Sequence, residues 1–271
     1  RPPRSTLFPY TTLFRSARYL ASLRQALPTP VPGVVMGRPV HFVDDDPAGD
    51  ARAEATLAEL AREIGFSDVS FQYEPIAAAL HFEAGLSDEV LALVVDIGGG
   101  TSDVSLLRVG PSLAGRADRA ADILGNDGIR LGGTDFDRLL SLAEVMPHLG
   151  HGTSLNSGKA LIPNHYYLDL ATWHRINSLY APRKQAEVKG LLPDADRPEL
   201  VGRLVQAVES RAGHAIAMEV EAAKIALSDA PAHRLMLKDL IGGPNPMATR
   251  ERFEETLTTG LARIAALITE V

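Results

Sequence analysis

Residues 90–109 constrain this chain more than any other stretch. Val90 to Val95 reads VLALVV, a continuous apolar run that predicts a central strand covered on both faces. Asp96-Ile97-Gly98-Gly99-Gly100-Thr101-Ser102-Asp103 follows, and Val104 to Val109 alternates as a second strand. Two strands joined by so short a glycine-rich segment predict a hairpin rather than a βαβ crossover. Three successive glycines expose backbone N–H groups and let the chain approach an anion closely. Asp96 ends the first strand, where a carboxylate can organise a hydrated Mg²⁺. Thr101 offers a hydroxyl to a phosphate oxygen, and Asp103 lies two residues further on, on the same side of the outgoing strand. The glycines alone equally describe a plain hairpin turn between solvated acids.

Around this hairpin the pattern alternates between helix and strand. Ala17–Leu27 reads as the tail of a helix stopped by Pro28-Thr29-Pro30. Val34 to Met36 fits a buried strand. Ala51–Ile64 is helical, with Leu57, Leu60 and Ile64 on one face and Gly65 at the C-terminal cap. Val69–Tyr73 alternates as a strand, and Glu74–Glu83 reads as a helix with Pro75 in its first turn. Asp135–Met146 predicts a helix and His148–Ile162 a loop. Leu200–Leu227 predicts one long helix carrying Leu204, Val205, Val208, Ala212, Ile216 and Val220 near one stripe. Ile241–Pro246 reads as a turn, and Arg250–Ile268 as a helix with Thr249 as N-cap.

Composition narrows the chemistry. The 271 residues hold 45% hydrophobic and 23% charged side chains, a globular profile. There is no cysteine, which excludes disulfides, thiolate metal sites and a cysteine nucleophile. A formal charge of −7 argues against binding to a nucleic-acid backbone. No apolar run approaches the ~20 residues that span a bilayer, and no secretory signal is evident, so a cytoplasmic location is expected. Thr6 to Ser16 reads TLFPYTTLFRS and resembles the translation of a sequencing adapter, so residues 1–16 are expected to be foreign to the fold. The helical pattern still running at Val271 adds to the expectation of a piece of a larger protein, incomplete at both ends.

Taken with three further stretches in order, the glycine string closely resembles the second phosphate motif of the Hsp70 chaperone family, within the actin-like ATPase superfamily. Glu74 to Leu80, EPIAAAL, resembles the family's first connecting helix. Asn126 to Asp137, NDGIRLGGTDFD, resembles the opening of subdomain IIB, and Glu221 to Ser228, EAAKIALS, resembles the nucleoside-binding helix. Gly37 to Phe42, GRPVHF, and the long segment from His148 to Pro198 are similar to the YegD-type branch. The resemblance implies an α/β, actin-like (ribonuclease H-like) fold, present in part. Residues 17–87 would be the end of lobe I with the connecting helix. Residues 88–133 and 247–271 would be an incomplete subdomain IIA, and residues 134–246 subdomain IIB with an insertion.

The resemblance also implies an ATP/ADP site with Mg²⁺. Gly98, Gly99, Gly100 and Thr101 would hold the β- and γ-phosphates, and Asp96 would bind Mg²⁺ through water. Glu74 would position the attacking water or couple nucleotide state to lobe closure. Asp103 would orient the water or a cation. Glu221, Lys224 and Ser228, spaced to share one helix face, would contact the nucleoside. Partners implied are nucleotide and possible unfolded clients or co-chaperones, with neither nucleic acid nor membrane. The family's adenine-stacking arginine corresponds to Ile225, and the aromatic after the motif's threonine is Ser102. The family's first phosphate loop and catalytic lysine would lie upstream of Ala17, so this chain alone is expected to be a weak or inactive ATPase. An actin-like filament protein or a small-molecule kinase of the same superfamily is the alternative.

Three decoys stand beside this reading. Ser157-Gly158-Lys159 resembles a P-loop fragment, but the glycine spacing fails and Ala160 replaces the Mg²⁺-binding hydroxyl, so a plain loop is expected. His148 and His151 are expected to be solvated loop residues rather than metal ligands. Tyr166, Tyr167, Trp173 and Tyr180 are expected to form a small aromatic core.

Overall fold

The computed structural model describes residues 10–27, 31–42, 46–116 and 118–271. The Pro28–Pro30 breaker and residues 6–9 of the adapter-like string lie outside them; from Tyr10 the chain is helical. The protein is mixed α/β and divides into two compact units. One holds the chain up to Asp96 together with Val104–Asp127 and Val271, and the other holds Ile97–Asp103 and Gly128–Glu270.

In the first unit, α1 (Tyr10–Ala26) precedes β1 (Gly33–Arg38), α2 (Pro47–Glu63), β2 (Asp68–Tyr73) and α3 (Glu74–Glu83). β1 and β2 pair in parallel, Val34 opposite Val69 and Arg38 opposite Tyr73, with α2 as the crossover. Asp46 caps α2 by accepting the Gly49 N–H at 2.8 Å, Pro47 occupies the first turn, and Gly65 follows the helix at φ 102°. Arg38 anchors β1 to α2. Its guanidinium pairs with Asp50 at 2.6 Å and with Glu54, and lies over the rings of Phe42 and Tyr73. The predicted elements of this region all form, α3 with the expected bounds, but β1 is not the buried strand expected. Val35 faces outward and no residue of the strand is fully buried, because a two-stranded sheet covered by α2 leaves one face open.

β3 (Val90–Ile97), β4 (Ser102–Val109) and β5 (Ile123–Ile129) form a three-stranded sheet in that order. The four residues linking β3 to β4 are too few for a crossover, so the pair is a hairpin. One expectation fails here. β3 is an edge strand, and Leu91 (64% exposed), Leu93, Val95 and Ile97 face outward. Only Ala92 and Val94 pack inward, against Ile76, Ala79, Leu107 and Val109. An all-apolar run suits burial on both faces, but it does not itself supply a second covering layer.

The second unit contains the main core. α4 (Gly133–Glu144) packs against α5 (His165–Ala171), α8 (Gly213–Asp229) and α10 (Arg250–Glu270). Between them run the short hairpin β6 (Ser154–Leu155)–β7 (Ala160–Leu161), α6 (Pro182–Lys189), α7 (Pro198–Glu209), β8 (Ala232–Arg234), α9 (Lys238–Ile241) and β9 (Met247–Thr249). Leu140, Met146, Leu149, Tyr167, Leu179, Leu204, Ile216 and Leu235 are among its buried side chains.

The predicted long helix over 200–227 is two helices. Arg211 adopts φ 58° between α7 and α8, and Gly213 starts α8 where a Cβ would stand 2.5 Å from Ile176 Cγ2 and 2.7 Å from the Tyr180 hydroxyl. The hydrophobic stripe continues across the break because both helices bury it in one core, so periodicity does not register the interruption. The expected loop over 148–162 holds a helical turn (Met146–Leu149) and the β6–β7 hairpin.

Candidate functional site

The glycine loop is built by close backbone approach. Gly98 N–H donates to Thr101 O at 2.9 Å and closes the turn. Gly133 N–H donates to Gly98 O at 2.9 Å, and Thr134 donates to Gly99 O through both N–H and hydroxyl, each at 2.7 Å. A Cβ at Gly132 would lie 2.6 Å from Gly98 O, 2.7 Å from Gly100 N and 2.7 Å from Gly99 C. All three are backbone atoms of the loop. Ser102, fully buried, donates to Leu131 O at 2.7 Å and holds the loop's exit to the same segment. Gly132 and Gly133 therefore shape backbone, as their place at the start of α4 implies.

The outer surface of the loop is open. Gly98, Gly99, Gly100 and Thr101 are exposed, and a Cβ added at Gly100 would meet nothing within 4 Å. Among the described residues, the N–H groups of Gly99 and Gly100 donate to no protein acceptor. The arrangement is a nest of backbone donors presented to solvent, which suits an anion. Asp103, exposed, sits against Gly128, whose missing Cβ leaves room 2.5 Å from Asp103 Oδ1.

In the same unit, α8 brings Lys224 to the turn that pins the loop. Lys224 Nζ pairs with Asp137 Oδ1 at 2.7 Å and reaches Gly133 O at 3.5 Å. Burial pushes the Asp137 carboxyl above its ordinary range, against the pull of Lys224, and nearby Glu221 pushes it the same way. Glu221, Ile225 and Ser228 are exposed along α8.

In the other unit, Asp96 is exposed near the end of β3, and Glu74 starts α3 beside β1. A Cβ at Gly37 would stand 3.3 Å from Glu74 Cγ, so this glycine makes room for the Glu74 side chain.

The Ser157-Gly158-Lys159 segment is a loop, as expected, and its potential anion site is filled from within. The Asp196 carboxylate accepts from Ser157 N–H at 2.7 Å, Gly158 N–H at 2.8 Å and the Ser154 hydroxyl at 2.6 Å. These bonds hold its carboxyl below the usual range. His151 meets Asn164 Oδ1 at 2.8 Å. His148 is half-buried on a helical turn instead of solvated, and burial, with Arg203 nearby, lowers its tendency to protonate. Among the described residues no group of three or more His, Cys, Asp or Glu side chains is placed to hold a metal. Tyr166 and Tyr167 are core residues, but Trp173 is 49% exposed. Asp196 carries a well-defined role that no sequence pattern marked, and the motifs containing Arg38 and Asp137 did not show their ion pairs, because the partners lie elsewhere in the chain.

No protein-family model matches the chain. The sequence is similar to chaperone protein HscA homologues. It is 33% identical over 180 residues to that of Vibrio vulnificus strain YJ016, covering 64% of this chain and 26% of that protein. It is 35% identical over 128 residues to that of Methylobacillus flagellatus, covering 45% and 18%. It is 34% identical over 119 residues to the chaperone protein HscA of Cronobacter sakazakii, covering 44% and 17%. The matches thus span about a quarter or less of each relative's length, and they support the Hsp70-like resemblance.

Proposed function

We propose that this chain is part of the nucleotide-binding domain of an Hsp70-like chaperone, binding ATP or ADP with Mg²⁺ in the cytoplasm and, in the whole protein, hydrolysing ATP as clients and co-chaperones bind. The observation that carries the reading is the exposed glycine loop, its Gly99 and Gly100 amides unused and its backbone pinned by Gly132–Thr134. The similarity to HscA chaperones supports it independently. The finer assignments follow the resemblance: the actin-like fold and lobe boundaries, and the YegD-type branch suggested by residues 37–42 and 148–198.

Phosphoryl transfer to water asks a protein chiefly for positioning and charge neutralisation. Gly98, Gly99, Gly100 and Thr101 would cradle the β- and γ-phosphates with backbone donors and one hydroxyl. Mg²⁺, when bound, supplies neutralisation of the phosphate oxygens, and the Asp96 carboxylate would hold it through water. Glu74 would accept from and orient the attacking water, and Asp103 would assist that orientation. Glu221, Lys224 and Ser228 would contact the nucleoside. The Lys224 ammonium would share itself between that contact and Asp137. Ile225, exposed on α8, would pack on the base without a cationic stacking partner.

The test is nucleotide affinity with and without Mg²⁺, read with a fluorescent ATP analogue. The Asp96→Ala protein is expected to lose the Mg²⁺-dependent part of the affinity. Unchanged affinity in Asp96→Ala, or no binding to the unmodified chain at millimolar nucleotide, would overturn the assignment.

A further inference from the structure

The second unit contains a cavity of about 290 Å³ between α4, α5 and α8 that the nucleotide reading does not use. Its apolar wall includes Leu170, Ala171 and Val220. Trp173 also lines it, its indole met edge-on by His214 with ring centroids 5.0 Å apart. The polar side carries the Asp137 and Glu221 carboxylates and the Ser141 hydroxyl. Ser141 is 4% exposed and lines the cavity, and its hydroxyl makes no hydrogen bond among the described residues. A buried hydroxyl is normally satisfied, so one facing a cavity without a partner marks a place for a ligand polar atom.

The charge balance selects the ligand's sign. Asp137 and Glu221 contribute two carboxylates, while Lys224, paired with Asp137 at 2.7 Å, contributes one cation. An excess negative charge remains beside an indole face, and a cation gains from both. The volume is near the lower end of ligand cavities, ~300–1,000 Å³, which suits a body of a single ring. We infer that this cavity binds a small organic cation: a protonated primary amine on one aromatic ring, with its ammonium at Glu221, Asp137 and Ser141 and its ring against Trp173 and Leu170. The inference does not rest on the chaperone reading, although Glu221 borders both sites.

Trp173 is the chain's only tryptophan, so intrinsic fluorescence reports on this cavity directly. Titration with 2-phenylethylammonium is expected to change Trp173 emission saturably. Neutral 2-phenylethanol, of nearly the same shape, is expected to bind about tenfold more weakly. Asp137→Asn should weaken the amine, and Ala217→Leu, which fills the cavity from α8, should abolish the response while circular dichroism stays unchanged. Equal responses to amine and alcohol would overturn the charge assignment, and an unaffected Ala217→Leu protein would overturn the location. Because Glu221 is shared, the amine and the fluorescent ATP analogue are expected to compete in the unmodified protein. Competition that persists in Ala217→Leu would place the amine in the nucleotide site and overturn a separate cavity. Absence of ATP binding with amine binding intact would sink the nucleotide reading alone.

Discussion

The Cβ that Gly132 lacks would collide with three backbone atoms of the glycine loop, and backbone cannot yield as a flexible side chain can. Gly132→Ala is therefore expected to cost about 1–3 kcal/mol in urea unfolding, the usual range for overpacking. It should also displace the loop and weaken nucleotide binding. Gly100→Ala is the contrast. Its added Cβ meets nothing within 4 Å, so stability should stay within about 0.5 kcal/mol. The new methyl would occupy the face offered to phosphate, however, and affinity should fall. Equal stability losses in the two proteins would contradict the close-approach account. The sequence makes the glycines of residues 98–100 visible as turn formers and Gly132 and Gly133 visible as part of a motif. It does not show that Gly132 is required by residues some thirty positions earlier, because that constraint exists only once the two segments touch.

At the scale of elements, the C-terminal end of α3 is fastened by buried charge. Arg119, 2% exposed, pairs with Glu83 at 2.9 Å and Asp122 at 2.5 Å, and Glu83 also accepts the Gly110 N–H at 2.8 Å. The helix itself was legible. Pro75 in its first turn and the switch from strand alternation to an alanine-rich run locate it to the residue. The fastening was not, since Glu83 reads as an ordinary helix acid and Arg119 as a loop cation. The covering of β3 is illegible for a related reason: hydrophobicity reports what a strand tolerates, while its neighbours decide what it receives. Two outcomes follow. Glu83→Ala leaves Arg119 with half its compensation and should cost about 3–5 kcal/mol. Hydrogen bonds from Arg119 hold the Glu83 carboxyl below its ordinary range, so the folded state binds that proton more weakly than the unfolded chain. Its contribution is complete above the unfolded value of about 4.3 and fades as pH falls through the lower folded value. Stability measured by urea midpoints should fall less steeply on acidification in Glu83→Ala than in the unmodified protein. Parallel slopes would refute the link.

At the scale of the molecule, apolar burial is unequally divided. The second unit encloses a large continuous core from Leu140 to Leu257, whereas the buried cluster beneath β3 and β4 is confined to Ile76, Ala79, Leu107 and Val109. Burial supplies most of the favourable free energy of folding, about 25 cal/mol per Å² of apolar surface. The first unit should therefore unfold at lower denaturant. Trp173 lies in the second unit, so its emission follows that unit, while far-ultraviolet circular dichroism follows helices of both. The two signals should then give separate curves, the dichroism beginning its loss before the fluorescence. Glu83→Ala should move only the early part of the dichroism curve. Leu204→Ala, which empties a fully buried site in the second unit, should lower the fluorescence transition by about 2–5 kcal/mol. Superimposable curves for both probes in the unmodified protein and both variants would mean that the units fold as one cooperative body, and that core size does not set the order of their loss.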